Sequence, residues 1–176
     1  MTGDHWTYDD LQFTLRHCAE SGFFDIAFQI VEDHPELDLD VRTFLGILAQ
    51  KPEGFDRVEK SLSTRIIEST FGFFRMKLHE SAAEEDTYAL KLLETIWGHA
   101  TRTMNLDDIE LMLKGPPTFW SDEPSYESRI LFVAAEAGNT RFIVELLRTY
   151  PNLMLHKDDD GHTIFHIAVM YRHLGI

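Results

Sequence analysis

The chain has 176 residues, with 30 acidic against 16 basic side chains and a formal net charge of -14. That balance excludes nucleic acid and a bare anionic membrane surface as main partners, because both require a net basic footprint. It favours a protein partner with a basic surface, since complementary fields speed encounter. Hydrophobic residues at 44% are enough to build a packed core and argue against wholesale disorder.

The single cysteine, Cys18, excludes an intrachain disulfide and fits a reducing compartment. The start Met1-Thr2-Gly3-Asp4-His5-Trp6 lacks the basic and apolar stretches of a secretory signal. No apolar run approaches the ~20 residues that span a bilayer. A cytoplasmic protein without a membrane segment in this chain is therefore expected.

Three zones follow in chain order. In residues 1–55, Leu11, Leu15, Cys18 and Ala19 recur at helical spacing up to Gly22, which stops the helix. Ile26, Phe28, Ile30 and Val31 mark a second helix that ends near His34-Pro35, because proline cannot continue the hydrogen-bond ladder. Thr43 to Ala49 opens a third, closed by Pro52 and Gly54. Residues 56–125 read as a helical spacer with helices over Val58–Ile67, Phe71–Leu78, Thr87–His99 and Leu106–Leu113, Thr87 being a candidate cap. Gly115-Pro116-Pro117 breaks it, and a loop carrying Trp120 follows. In residues 126–176, helices are expected over Arg129–Ala137, Thr140–Arg148 and Thr163–Arg172, with Asp158-Asp159-Asp160-Gly161 as a turn. No stretch alternates over five residues as a strand would, so the fold expected is all-α.

An internal repeat is the strongest signal. Cys18-Ala19-Glu20-Ser21-Gly22 lies on Ala134-Ala135-Glu136-Ala137-Gly138. Without a gap, Ile26 then falls on Phe142, Ile30 on Leu146, Pro35 on Pro151 and Leu37 on Leu153. Thr43-Phe44-Leu45-Gly46-Ile47-Leu48-Ala49 matches Thr163-Ile164-Phe165-His166-Ile167-Ala168-Val169. Small residues let neighbouring helices approach, and the glycine permits a tight turn between them.

Gly161-His162-Thr163-Ile164-Phe165-His166-Ile167-Ala168 resembles the ankyrin opening Gly-x-Thr-Pro-Leu-His-x-Ala. Ala134 to Asn139, followed by Phe142 to Leu147, resembles the rest of that unit. With Leu45-Gly46-Ile47-Leu48-Ala49-Gln50-Lys51-Pro52, the chain is similar to plant ankyrin-repeat proteins of the accelerated-cell-death type. The resemblance implies helix-pair repeats stacked as a solenoid, a helical spacer between two repeat groups, and a role as a protein-binding scaffold in plant immune or stress signalling. It also implies that Gly22, Gly138, Thr163 and His166 are structural, the last two bonding loop backbone of adjacent units. Gly46 stands where the family usually has His, and Phe44 and Ile164 replace the proline of the opening. The membrane-spanning domain usual in that family has no counterpart in this sequence.

No constellation for catalysis, cofactor or metal binding is read from the sequence. His162 and His166 lack the further ligands of a zinc motif. The aspartate run lacks the glycine and glutamate positions of a calcium loop. Cys18 on an apolar helix face reads as a buried inert thiol. The candidate partner contacts are Arg129 and Glu136 on a first helix, His156, Asp158, Asp159 and His162 at a turn tip, and Trp120. The last unit is incomplete, so Ile164, Ile167, Ala168 and the back of Leu146-Leu147 are expected to lack a neighbour. That end would then serve self-association or association with a longer homologue.

Overall fold

The computed structural model describes residues 7–56, 87–115, 129–173 and 175–176. Its regular elements are all helical, with no strand among the described residues. The expected helices over Val58–Ile67 and Phe71–Leu78, and the loop carrying Trp120, lie outside them.

Local sequence accounts for most helix ends. Helix α1 (Tyr8–Ser21) starts at Thr7, whose hydroxyl oxygen accepts from the Asp10 N–H while the Asp10 carboxylate accepts from the Thr7 N–H. This reciprocal pair satisfies two otherwise free donors. Helix α2 (Phe24–Asp33) stops two residues before Pro35. Asp40 caps α3 (Val41–Ala49) through the Thr43 N–H. A one-turn helix, α4 (Glu53–Asp56), follows Pro52. Gly54 was expected to close a helix but sits inside this one. A Cβ at Gly54 would run into the Phe24 ring, so glycine here serves a close approach to α2.

Thr87 caps α5 (Tyr88–Thr103) and Asn105 caps α6 (Leu106–Lys114). Beyond the next undescribed stretch come α7 (Ile130–Ala137) and α8 (Thr140–Thr149). A 3-10 turn over Pro151–Leu155 and helix α9 (Ile164–Met170) complete the order.

The helices stack in two rows. In the first row α1 packs on α3, α3 on α7 and α7 on α9. In the second, α2 packs on α5 and α5 on α8. The rows join through α1 with α2, α3 with α5 and α7 with α8. Helix α5, which the sequence groups with a spacer, thus packs between α2 and α8, and α6 packs on α5 and α7. Trp97 of α5 is buried, donates from Nε1 to the Thr149 hydroxyl at 3.1 Å, and meets the Tyr150 ring edge-on at 5.8 Å. Phe142 of α8 meets Phe55 edge-on at 6.2 Å, both fully buried. Such aromatic pairs add about 0.5–1.5 kcal/mol beyond burial.

Three first-row helices end in the same way. Gly22, Gly138 and Arg172 are left-handed, with φ 79°, 75° and 63°. The next N–H then bonds back to the fifth residue before it: Phe23 to Cys18 (2.9 Å), Asn139 to Ala134 (2.8 Å) and His173 to Ala168 (2.8 Å). Arg172 ends α9 two residues earlier than its apolar pattern suggested. In α3 the residue of the same register is Pro52, whose ring forbids positive φ. There Lys51 N–H bonds Leu48 instead, at 3.2 Å, and the chain enters α4.

The expectation of an open end is corrected in detail. Ile164, Ile167, Ala168 and Leu146 are all buried, because α9 turns its Ile164/Ile167/Ala168 face onto α7. The exposed apolar residues are on its other side, Phe165, Val169, Met170 and Tyr171.

Candidate interaction surface

The turn before α9 is built around Asp158. Its N–H donates to the His162 carbonyl (2.8 Å), and its own carbonyl accepts from the Gly161 N–H (3.1 Å). Its Oδ1 accepts from the N–H groups of Asp160 (3.1 Å) and His162 (2.7 Å). Its Oδ2 faces His162 Nδ1 at 3.5 Å and Arg129 Nη2 at 3.9 Å. The Asp158 side chain is only 7% exposed. It therefore holds the loop together from inside and is not a free contact for a partner, whereas Asp159 and Asp160 are exposed. Gly161 takes φ 82° to close the turn.

Arg129, Asp158 and His162 thus form one cluster, with the His166 ring 6.1 Å from that of His162. The Arg129 guanidinium also lies over the Phe132 ring, 5.8 Å from its centre. Asp158, Asp160 and His162 offer ligand atoms within 4.8 Å of one another. Asp158 already spends both oxygens on the loop N–H groups, His162 and Arg129.

Two other expected contacts lie elsewhere. Glu136 is at the opposite end of α7 from Arg129, and its carbonyl accepts a bond from His173 Nε2 at 2.7 Å. His156 faces Glu110 of α6 at 4.0 Å, beside a cleft of about 200 Å³ bounded by Leu106, Ile109 and Tyr150. Its Nδ1 is buried without a hydrogen-bond partner among the described residues. Trp120 is outside the described residues. Thr163 and His166 bond each other: the Thr163 N–H donates to His166 Nδ1 (3.2 Å), and the Thr163 hydroxyl lies 2.8 Å from the same nitrogen. The hydrogen bonds seen for this pair close the first turn of α9 and do not reach an adjacent unit.

A ladder of side-chain bonds was not anticipated. Asn139, just after the left-handed Gly138, donates from Nδ2 to the carbonyls of Leu48 (3.0 Å) and Ala49 (3.4 Å) at the end of α3. Its Oδ1 accepts from the Phe142 N–H and caps α8. His173, just after the left-handed Arg172, reaches the end of α7 in the same sense. Both side chains thus add a donor to carbonyls in the last turn of the preceding first-row helix. The shared position, one residue after the turn, was the signal in the sequence. His173 also occupies the space a Cβ on Gly138 would need, with Nδ1 2.5 Å from that point.

Between α1 and α3 lies an open cleft of about 300 Å³, bordered by Arg16, Glu20, Thr43, Gly46, Ile47 and Gln50. Arg16 and Glu20, one turn apart on α1, pair along its α1 wall at 2.8 Å. Gly46 contributes no side chain where α9 carries His166. Cys18 is buried, and its thiol pKa is raised above 9.0 by desolvation and then by the Asp25 charge. That disfavours the nucleophilic thiolate.

No helix among the described residues is long and apolar enough to cross a membrane. A scan of family models, a search of curated proteins and a search of solved structures each give no match to this chain.

Proposed function

We propose that this chain is a non-catalytic protein–protein interaction scaffold made of ankyrin-type helix pairs. The observation that supports it best is the recurring left-handed turn, from which Asn139 and His173 bond the end of the preceding first-row helix. Such a device joins unit to unit, as an array stabilised by nearest neighbours requires. In this reading α5 is the second helix of the pair opened by α3, and residues 57–86 are an insertion within that pair. The partner is a protein with a basic surface that meets the exposed Asp159 and Asp160, and the setting is cytoplasmic plant immune or stress signalling.

Affinity capture tests this reading. The wild-type chain is expected to retain a specific protein with a basic surface, in a salt-sensitive way. Asp159→Lys with Asp160→Lys is expected to lose it. Equal retention by both chains would remove this turn as the docking site. A second reading, a regulator that associates with or caps a longer homologue, is favoured by the exposed apolar side of α9. Co-purification of the two chains would support it.

A further inference from the structure

The cleft beside His156 holds an unanswered acceptor. Leu106 and Ile109 of α6, with Tyr150 and Leu153 at the 3-10 turn, give it apolar walls. Ile109 and Leu153 are buried, whereas Leu106 is 51% exposed. Set into these walls are the Glu110 carboxylate and the His156 imidazole. Glu110 Oε1 lies 4.0 Å from His156 Nε2, and the two side chains are 46% and 18% exposed. The carboxylate favours a ring proton on Nε2, which leaves Nδ1 as a bare lone pair. That atom is buried and meets no donor among the described residues. The Thr149 hydroxyl oxygen beside it already accepts from Trp97. A buried acceptor without a donor is destabilising until a ligand or a water supplies one.

We infer that this cleft is the anchor for one arginine side chain of a protein partner, its guanidinium donating to the Glu110 carboxylate and to His156 Nδ1. This rests on the scaffold reading and names how the basic partner is held. Size narrows the ligand first. At about 200 Å³ the cleft is smaller than the roughly 300–1,000 Å³ of pockets that enclose drug-sized molecules, and it suits a single side chain. Charge narrows it next. No lysine or arginine lines the cleft, and the chain carries a net charge of -14. A guanidinium brings five N–H donors and no acceptor, in a planar fork that fits a carboxylate. It is also less strongly hydrated than an ammonium and loses less on leaving water. The arginine stem covers apolar surface, which Leu106, Ile109 and Tyr150 provide. Position gives the last argument. His156 precedes Asp159 by three residues, at most about 11 Å of chain. One basic segment therefore reaches both the cleft and the exposed Asp159 and Asp160.

The test is an NMR titration of the full chain with arginine capped by acetyl and amide groups, read at the His156 ring nitrogens and the Leu106, Ile109 and Leu153 signals. Saturation is expected at up to about 10 mM, since a probe of this size binds in the millimolar range. The Nδ1 signal is expected to move as it gains a donor. Capped citrulline, of the same shape but neutral, is expected to leave these signals in place. Glu110→Gln is expected to weaken binding about tenfold with an unchanged circular dichroism spectrum, because Glu110 is half exposed. Asp159→Lys with Asp160→Lys is expected to keep it. No movement at Nδ1, which would leave the cleft to water only, equal binding of citrulline, or undiminished binding by Glu110→Gln would each overturn the inference. Capture of a basic protein through Asp159 and Asp160 without binding of capped arginine would overturn the cleft alone. Binding of capped arginine without any captured protein would sustain the cleft and count against the scaffold reading.

Discussion

Helices α7 and α9 share a register, the same left-handed ending and the same bond from the residue after the turn, yet they meet different surroundings. In α7 both sides are covered, by α3 and α9 in the row and by α8 and α6 beside it. Among the described residues, α9 packs on α7, and the Phe165/Val169 stripe is exposed. The repeated motif therefore specifies how a helix starts, stops and faces its predecessor. It does not specify whether the opposite side is filled.

The largest effect that sharpens this contrast is a matched pair of truncations. Leu131→Ala in α7 is expected to lose about 2–5 kcal/mol in denaturant unfolding, through lost burial and the cavity left behind. Phe165→Ala in α9 is expected to stay within about 1 kcal/mol in monomer unfolding at low concentration. Equal costs would break the distinction between the two helices. Next comes Asn139→Ala, expected to cost about 2–3 kcal/mol. It leaves buried carbonyls of Leu48 and Ala49 without that donor and removes the cap of α8.

The turns give a smaller and more diagnostic pair. Gly22 and Gly138 have nearly the same φ, so replacing either by alanine costs about 1–2 kcal/mol of backbone strain. At Gly22 a new Cβ meets nothing within 4 Å, whereas at Gly138 it meets the His173 ring. Gly138→Ala is therefore expected to cost roughly 1 kcal/mol more than Gly22→Ala, and that excess is expected to vanish when His173→Ala is combined with it. An excess that survives would show that His173 is not what crowds the turn.

The smallest effect concerns acid. The Thr7 hydroxyl, and then the Thr7 backbone N–H, hold the Asp10 carboxyl below its ordinary value of 3.8. A lowered folded-state pKa means that the contribution is present above 3.8 and fades as pH falls through the folded value. Asp10→Asn is expected to remove that dependence. An Asp10 carboxyl that titrates at 3.8 or above by NMR would refute the cap.

Much of this was legible along the chain because it depends on neighbours in sequence. Gly22 and Gly138 marked the turns and Thr87 the start of α5, whereas in the apolar run Phe142 to Leu147 the structure buries Phe142, Ile143 and Leu146 and exposes Val144. The candidate contact surface was less legible. Arg129, Asp158 and His162 come together, but Asp158 turns inward, and Glu136 and His156 lie elsewhere. A carboxylate that caps its own loop and one that faces solvent look alike in a run of three aspartates.

By itself, the sequence determined the helical periodicity, the capping residues, the breaks at glycine and proline, and the register between units, since each arises from bonds within a few residues. Tertiary structure alone decided that α5 packs between α2 and α8, that Asn139 reaches back to α3 across 91 positions, and that α9 buries Ile164 and Ile167 while it exposes Phe165 and Val169. Those outcomes depend on which surfaces meet, and a helix that is apolar on two sides carries no local mark of which side finds a partner.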